Sequence, residues 1–254
     1  MSNTHSHLLY RHGDSFVHRL PAHAKIVALV TFVLIVVSTP PDRFWAFAAY
    51  AIMLAAVAAL SRVSPGFVLR RMVFALPFVV FALLLPFVST GERIVVWGLS
   101  LSQDGLLSGW NVLAKSAIGV VASILLAATT DARALLLSLQ RLRLPARLVE
   151  IAAFMVRYGD VVVGEMHRMR IARESRAFEA RRLGHARVVA QGAGALFVRS
   201  YERGERVHLA MLSRGYSGAM PLIDTAPAGI PAWVAAAALP AAAAAVAVAS
   251  WLLS

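Results

Sequence analysis

The chain has 254 residues, 59% of them hydrophobic and only 15% charged, with a mean hydropathy of +0.70 and a net charge of +12. Soluble domains run near roughly 45–50% apolar and 25% charged, and the excess apolar surface here cannot be hidden in one water-soluble core, which makes the chain an integral membrane protein. Without cysteine there are no disulfides, thiol nucleophiles, Cys-ligated zinc or iron–sulfur clusters, and neither of the two lysines, Lys25 and Lys115, follows a glycine-rich phosphate loop, so any ATP is bound by another chain.

Residues 1–21 are polar and carry His5, His7, His12 and His18. They lack the early apolar run and small-residue cleavage site of a signal peptide. The histidine spacings match no compact metal site, so no metal site is assigned. Five apolar segments follow, at 24–39, 44–60, about 72–90, about 106–130 and 231–253. Each is read as a membrane-spanning helix, several at the short end of the roughly 17–25 residues a span needs. The first has the least margin, and Lys25 at its start can snorkel to the headgroups.

Arginines set the orientation. The connection 61–71 holds Arg62, Arg70 and Arg71, whereas 40–43 and 91–104 hold one Arg each, with acids beside them. The positive-inside bias places 61–71, the N-terminus and the stretch after the fourth span in the cytoplasm, and the C-terminus outside. Ser108, Asn111 and Lys115 form a polar stripe on the fourth span, Lys115 about 15 Å along it. The stripe reads either as a partner contact or as packed bundle interior with a snorkelling lysine.

Three domains follow: 1–130 with the N-terminal segment and four spans, a basic insert at 131–228, and the last span at 229–254. The insert holds 16 of the 25 basic residues and most of the acids. It is apolar at helical spacing. Leu135, Leu139 and Leu142 predict a short amphipathic helix, and Pro145 ends it and opens a second, marked by Ile151, Phe154, Met155, Tyr158 and Val162. Gly184 marks a break, and a third helix is expected at about 187–213, with Gly215 near its end as a cap. His167, His185 and His208 read as surface residues. The acids support the helices through pairs such as Arg170 with Glu174 and Glu202 with Arg206, each worth about 0.2–0.5 kcal/mol.

The insert contains a repeat offset by 38 residues: Arg168 to Phe178 aligns with Arg206 to Tyr216. Arg168 matches Arg206, Ile171 matches Leu209, Ala172 matches Ala210, and Ser175-Arg176-Ala177-Phe178 matches Ser213-Arg214-Gly215-Tyr216. On a helix the Arg, aliphatic, Ala and Ser share one face. The small residue allows close backbone approach, the preceding Arg offers a planar fork for a carboxylate, and the aromatic fills a pocket. Two such tips suit a partner with two similar receptors. The competing reading is a pair of amphipathic helices with arginines in solvent or on anionic lipid.

Two helices each ending in a small-Arg-small triplet resemble the signature of the transmembrane T component of energy-coupling factor (ECF) transporters, the CbiQ/EcfT family, and most of all its cobalt/nickel CbiQ branch. The usual triplet is Ala-Arg-Gly; here it is Ser175-Arg176-Ala177 and Ser213-Arg214-Gly215, and Leu20-Pro-Ala-His-Ala-Lys25 also resembles the family. Ala177 in place of Gly departs from the pattern and makes the two sites inequivalent. The resemblance implies an all-α integral membrane protein with about five spans and a helical cytoplasmic coupling domain before the last. It implies a non-catalytic subunit in a bacterial inner membrane that joins two CbiO-like ATPase subunits to a CbiM-like substrate subunit, with a small CbiN-like accessory subunit. ATP and Mg are then bound by the ATPases, and this chain binds no cofactor. Arg168, Ala172, Phe178, Arg206, Ala210 and Tyr216 are the supporting docking face. The substrate is expected to be cobalt or nickel, with a vitamin such as biotin as the alternative. A membrane-embedded enzyme acting on a lipid or phosphorylated substrate would need carboxylates within the spans, where none occurs, and the interspersed acids argue against nucleic acid.

Overall fold

The computed structural model describes residues 13–91, 93–96, 99–176, 186–218 and 229–252. Contacts divide the chain into a membrane unit, residues 9–135 with 226–254, and a second unit, residues 136–225 with 1–8, called the coupling unit after the role expected of it from the sequence.

The membrane unit contains short α1 (Phe16–Arg19), α2 (Ala22–Ser38), α3 (Phe44–Leu60), α4 (Pro65–Arg71) continuing through a 3-10 turn (Met72–Ala75) into α5 (Leu76–Val88), α6 (Gln103–Thr129) and α10 (Ile230–Leu252). Among the described residues, three helical stretches, Pro65–Val88, Gln103–Thr129 and Ile230–Leu252, are long and apolar enough to cross a bilayer, while α2 and α3 have 17 residues each. A 17-residue helix rises about 26 Å, close to the hydrocarbon thickness of about 30 Å.

The expected loop 61–71 contracts to 61–64. Pro65 follows Ser64 at a helix start, where its missing N–H costs nothing, so Arg70 and Arg71 lie on helix rather than loop. Arg71 stacks its guanidinium 3.7 Å from the Phe67 ring centroid. The connection before α6 is also not plain loop. Strands β1 (Arg93–Val96) and β2 (Leu99–Ser102) form an antiparallel hairpin with Arg93 opposite Ser102. This hairpin is a departure from an otherwise all-α architecture. Ser102 then caps α6, accepting from the Gly105 N–H at 3.3 Å.

Helix α6 organises the unit. Ile118, Ala122, Leu125 and Ala128 on it pack with Phe32, Val36, Phe47, Tyr50, Leu54 and Ala243 of α2, α3 and α10 in one buried cluster. The Tyr50 hydroxyl is shared with Thr39 Oγ1 at 2.9 Å, so the buried phenol is satisfied. Against α5, the Gly105 and Gly109 pair lets backbones touch: an added Cβ would lie 2.7 Å from Pro86 Cα and 2.8 Å from Ala82 O respectively.

Helix α7 (Ala132–Arg141) spans the boundary between the units at 135–136, and the coupling unit continues with α8 (Ala146–Glu174) and α9 (Ala186–Leu212). Pro145 occupies the N-cap of α8, one place earlier than a first-turn proline. Helices α8 and α9 run antiparallel: Glu165 pairs with Arg199, and Glu150 with Tyr216 just beyond α9.

Candidate functional site

The repeat folds into two matching helix ends. On α8, the Ser175 N–H donates to Ile171 O at 2.9 Å, the Arg176 N–H to Arg173 O at 3.1 Å, and Ser175 Oγ to Ala172 O at 3.1 Å. On α9, the Ser213 N–H donates to Leu209 O at 3.0 Å, the Arg214 N–H to Met211 O at 3.0 Å, and Ser213 Oγ to Ala210 O at 3.0 Å. Residue for residue, the bonds are the same 38 positions apart. The serine hydroxyl and backbone N–H turn onto the helix's last carbonyls, which would otherwise stay unpaired.

The second end is complete among the described residues. Gly215 takes φ +85, the Gly215 N–H donates to Leu212 O and the Tyr216 N–H to Met211 O, each at 3.0 Å. This pair of bonds closes a Schellman cap, which needs a left-handed residue at the glycine position. In the first copy Ala177 and Phe178 lie outside the described residues.

Arg176 and Arg214 are both exposed, as are Ala172, Ala210, Arg168 and Arg206. So are the matched aliphatics, Ile171 at 49% and Leu209 at 59%. Each tip therefore leaves both a guanidinium and a large aliphatic side chain exposed. Because the helices are antiparallel, the tips lie at opposite ends of the pair. Glu150, beside the second tip, is about 38 Å of helix rise from Ser175 at the first.

Tyr216 behaves differently from the expected pocket-filling aromatic. It is half-buried and turns inward, donating its hydroxyl to Glu150 Oε2 at 2.9 Å with its ring edge-on to His208. That hydrogen bond, with burial second, raises the Tyr216 pKa. Phe178 has no hydroxyl and cannot form the same bond. Further along the helix pair, the Glu165 carboxylate accepts from Arg168 at 2.6 Å and Arg199 at 2.5 Å, and these bonds hold its pKa below the ordinary glutamate range. Arg168 is thus partly engaged within its own helix. Arg170 and Glu174 form the expected i,i+4 pair at 2.7 Å.

Similarity to known proteins places the chain in a family. Residues 13–223 match the family model of the cobalt transport protein CbiQ. The chain belongs to the CbiQ family. Within it, this member is 30% identical over 152 residues to the cobalt transport protein CbiQ of Rhodobacter capsulatus, covering 58% of this chain and 62% of that one. It is 23% identical over 225 residues to the energy-coupling factor transporter transmembrane protein EcfT of Streptococcus thermophilus, covering 81% and 83%. A putative fused cobalt transport protein CbiMQ of Methanocorpusculum labreanum aligns over 216 residues at 25% identity, covering 81% of this chain and 36% of that protein. The chain spans less than two thirds of the length of the Rhodobacter relative. This member of the CbiQ/EcfT family is a membrane protein.

Both lysines of the spans bond to a neighbouring helix. The Lys25 ammonium turns onto the end of α6. Lys115 donates to Val37 O at 2.7 Å, a contact between α6 and α2. A signal was present in the sequence, since the only two lysines in an arginine-rich chain both fall in apolar segments. Of the N-terminal histidines, His5, His7 and His12 lie outside the described residues, and His18 Nδ1 shares a hydrogen bond with Ser15 Oγ at 2.7 Å.

Proposed function

We propose that this chain is the non-catalytic coupling subunit of an ECF-type importer, passing ATP-driven motion of two CbiO-like ATPase subunits to a CbiM-like substrate subunit for uptake of cobalt or nickel. The observation that carries it is the pair of helix ends with the same backbone bonds, each presenting an exposed arginine. A lipid-facing surface has no need of two matched tips at opposite ends of a helix pair; a partner with two similar grooves does. The family name and the fused relative support cobalt and a CbiM-like companion. ATP and Mg belong to the ATPases, since this chain has no phosphate loop. Arg62, Arg70 and Arg71 favour a cytoplasmic N-terminus and coupling unit, with the C-terminus outside, in a bacterial inner membrane.

In this reading Ser175, Arg176 and Ala177 enter one groove and Ser213, Arg214 and Gly215 the other, each guanidinium meeting an acidic group away from water. Arg168, Ala172 and Phe178 flank the first, and Arg206, Ala210 and Tyr216 the second. Removing one partner of such a buried pair costs about 2–5 kcal/mol, roughly 30-fold to several thousand-fold in affinity. Arg176→Ala and Arg214→Ala should each reduce co-purification of the ATPase chains, the double variant more than either, and Arg→Lys should rescue only in part. Arg187→Ala, outside the repeat, is the control. Tip variants that co-purify ATPases like the control would sink the docking role.

A further inference from the structure

The two lysines are used in the same way. Lys25, in the first turn of α2, donates to Thr129 O at 3.0 Å, Thr130 Oγ1 at 3.3 Å and His18 O at 3.4 Å. Lys115, midway along α6, donates to Val37 O at 2.7 Å, in the last turn of α2. Each ammonium sits on the carbonyl end of the other helix, where unpaired oxygens and the negative pole of the helix dipole coincide. The pairings of 25 with 129 and 115 with 37 mean that α2 and α6 are antiparallel and tied at two levels.

What Lys25 holds is an elbow. Helix α6 ends at Thr129, Thr130 is extended at φ −140 and ψ 125, and the Asp131 carboxylate accepts from the Arg133 N–H at 3.3 Å to start α7. Thr129 and Thr130 are 4% and 5% exposed. Through this turn the chain leaves the spans for the basic insert. Apolar helix faces can slide past one another, because lipid tails and neighbouring side chains solvate them alike. An ammonium with three oxygen acceptors fixes one register.

We propose that Lys25 is a positioning residue for coupling: it clamps the α6–α7 elbow to α2, so that a displacement of α7 moves α2 and α6 together instead of bending the chain at Thr130. Lys115 carries the same displacement to the far end of α2. This inference rests on the coupling role proposed above.

The test uses the assembled complex in vesicles, measuring ATP hydrolysis and uptake of radiolabelled cobalt ion. Lys25→Met should keep its ATPase chains and hydrolyse within about twofold of wild type, while uptake per ATP falls about tenfold, a typical coupling loss. Lys25→Arg, which still reaches the carbonyls, should recover most of it. Thr130→Val removes one acceptor and should lower the same ratio less; it carries the test if Lys25→Met does not accumulate. Because the chain has no cysteine, a nitroxide on Ser38→Cys gives a readout that needs no substrate. Its ATP-dependent spectral change should vanish in the Lys25→Met background. A wild-type uptake ratio with an unchanged nitroxide response overturns the proposal, and so does a loss of hydrolysis in step with uptake, which marks a purely structural cap. Failure of the docking role shows separately, as ATPase chains that stay bound to the Arg176→Ala, Arg214→Ala double variant.

Discussion

In the membrane unit Phe32, Tyr50 and Ala243 are completely buried, whereas on α8 and α9 of the coupling unit Met155 and Phe197 are both 70% exposed and Val149 is the one buried residue among those described. Both regions are rich in apolar side chains. The difference lies in how many surfaces close around them. Helix α6 is ringed by α2, α3 and α5, with α10 adding Ala243 to the cluster, which is enough to enclose a core. Two antiparallel helices have only one contact face, so the apolar residues on their other faces stay outside. The polar bonds divide likewise. The membrane unit places lysines on helix ends across long sequence separations, and the coupling unit relies on exposed arginine–carboxylate pairs, which are weak and screened by salt.

Removing a large side chain from each region should break the comparison most sharply. Phe32→Ala should destabilise the chain by about 3–5 kcal/mol, and Phe197→Ala by less than about 0.5 kcal/mol, as read by thermal unfolding of the detergent-solubilised chain. Equal losses would mean that the coupling helices enclose a core after all.

Acid should act next, and on the coupling unit alone. Glu165 has its pKa lowered by Arg168 and Arg199, so the link between α8 and α9 contributes fully above the ordinary glutamate value of about 4.3. It is lost as pH falls through the depressed folded value. Amide exchange of α8 and α9 should accelerate over that window, and Glu165→Gln should remove the pH dependence while leaving the core of α6 unchanged.

The smallest effect sharpens a different contrast, between helix ends. Gly215 supplies the left-handed residue after α9, but after α3 and α7 the same role falls to Arg62 at φ 54 and Arg143 at φ 63. A side chain there costs roughly 1–2 kcal/mol, offset in part by the entropy a glycine loses. Arg62→Gly should therefore raise stability by about 0.5 kcal/mol, visible as a small upward shift in the unfolding midpoint. A downward shift would show that the Arg62 side chain contributes more than its backbone strain costs.

Much of this was legible along the chain. Four of the five apolar segments appear as helices within a few residues of their expected bounds, because hydropathy and the 3.6-residue period are local properties. The third span was the exception: Ser64-Pro65 is a helix start, and reading Arg70 and Arg71 as loop residues hid it. The hairpin at 93–102 was missed because four-residue strands carry little periodic signal. At the site, the repeat exposed both tips, since two copies of one local motif cap their helices by the same short-range bonds.

Composition, the apolar segments and the 38-residue repeat thus determined by themselves a helical membrane protein with two similar basic helix ends, because each of these is written in residues close together in the chain. Tertiary structure alone decided what the polar groups inside it do. Lys25 and Thr129 are 104 positions apart, Lys115 and Val37 are 78 apart, and Tyr216 reaches Glu150 across 66. Headgroups, solvent or a partner could have satisfied those groups equally well, and only the packing of α2 on α6 and of α9 on α8 brought carbonyl and carboxylate oxygens within reach.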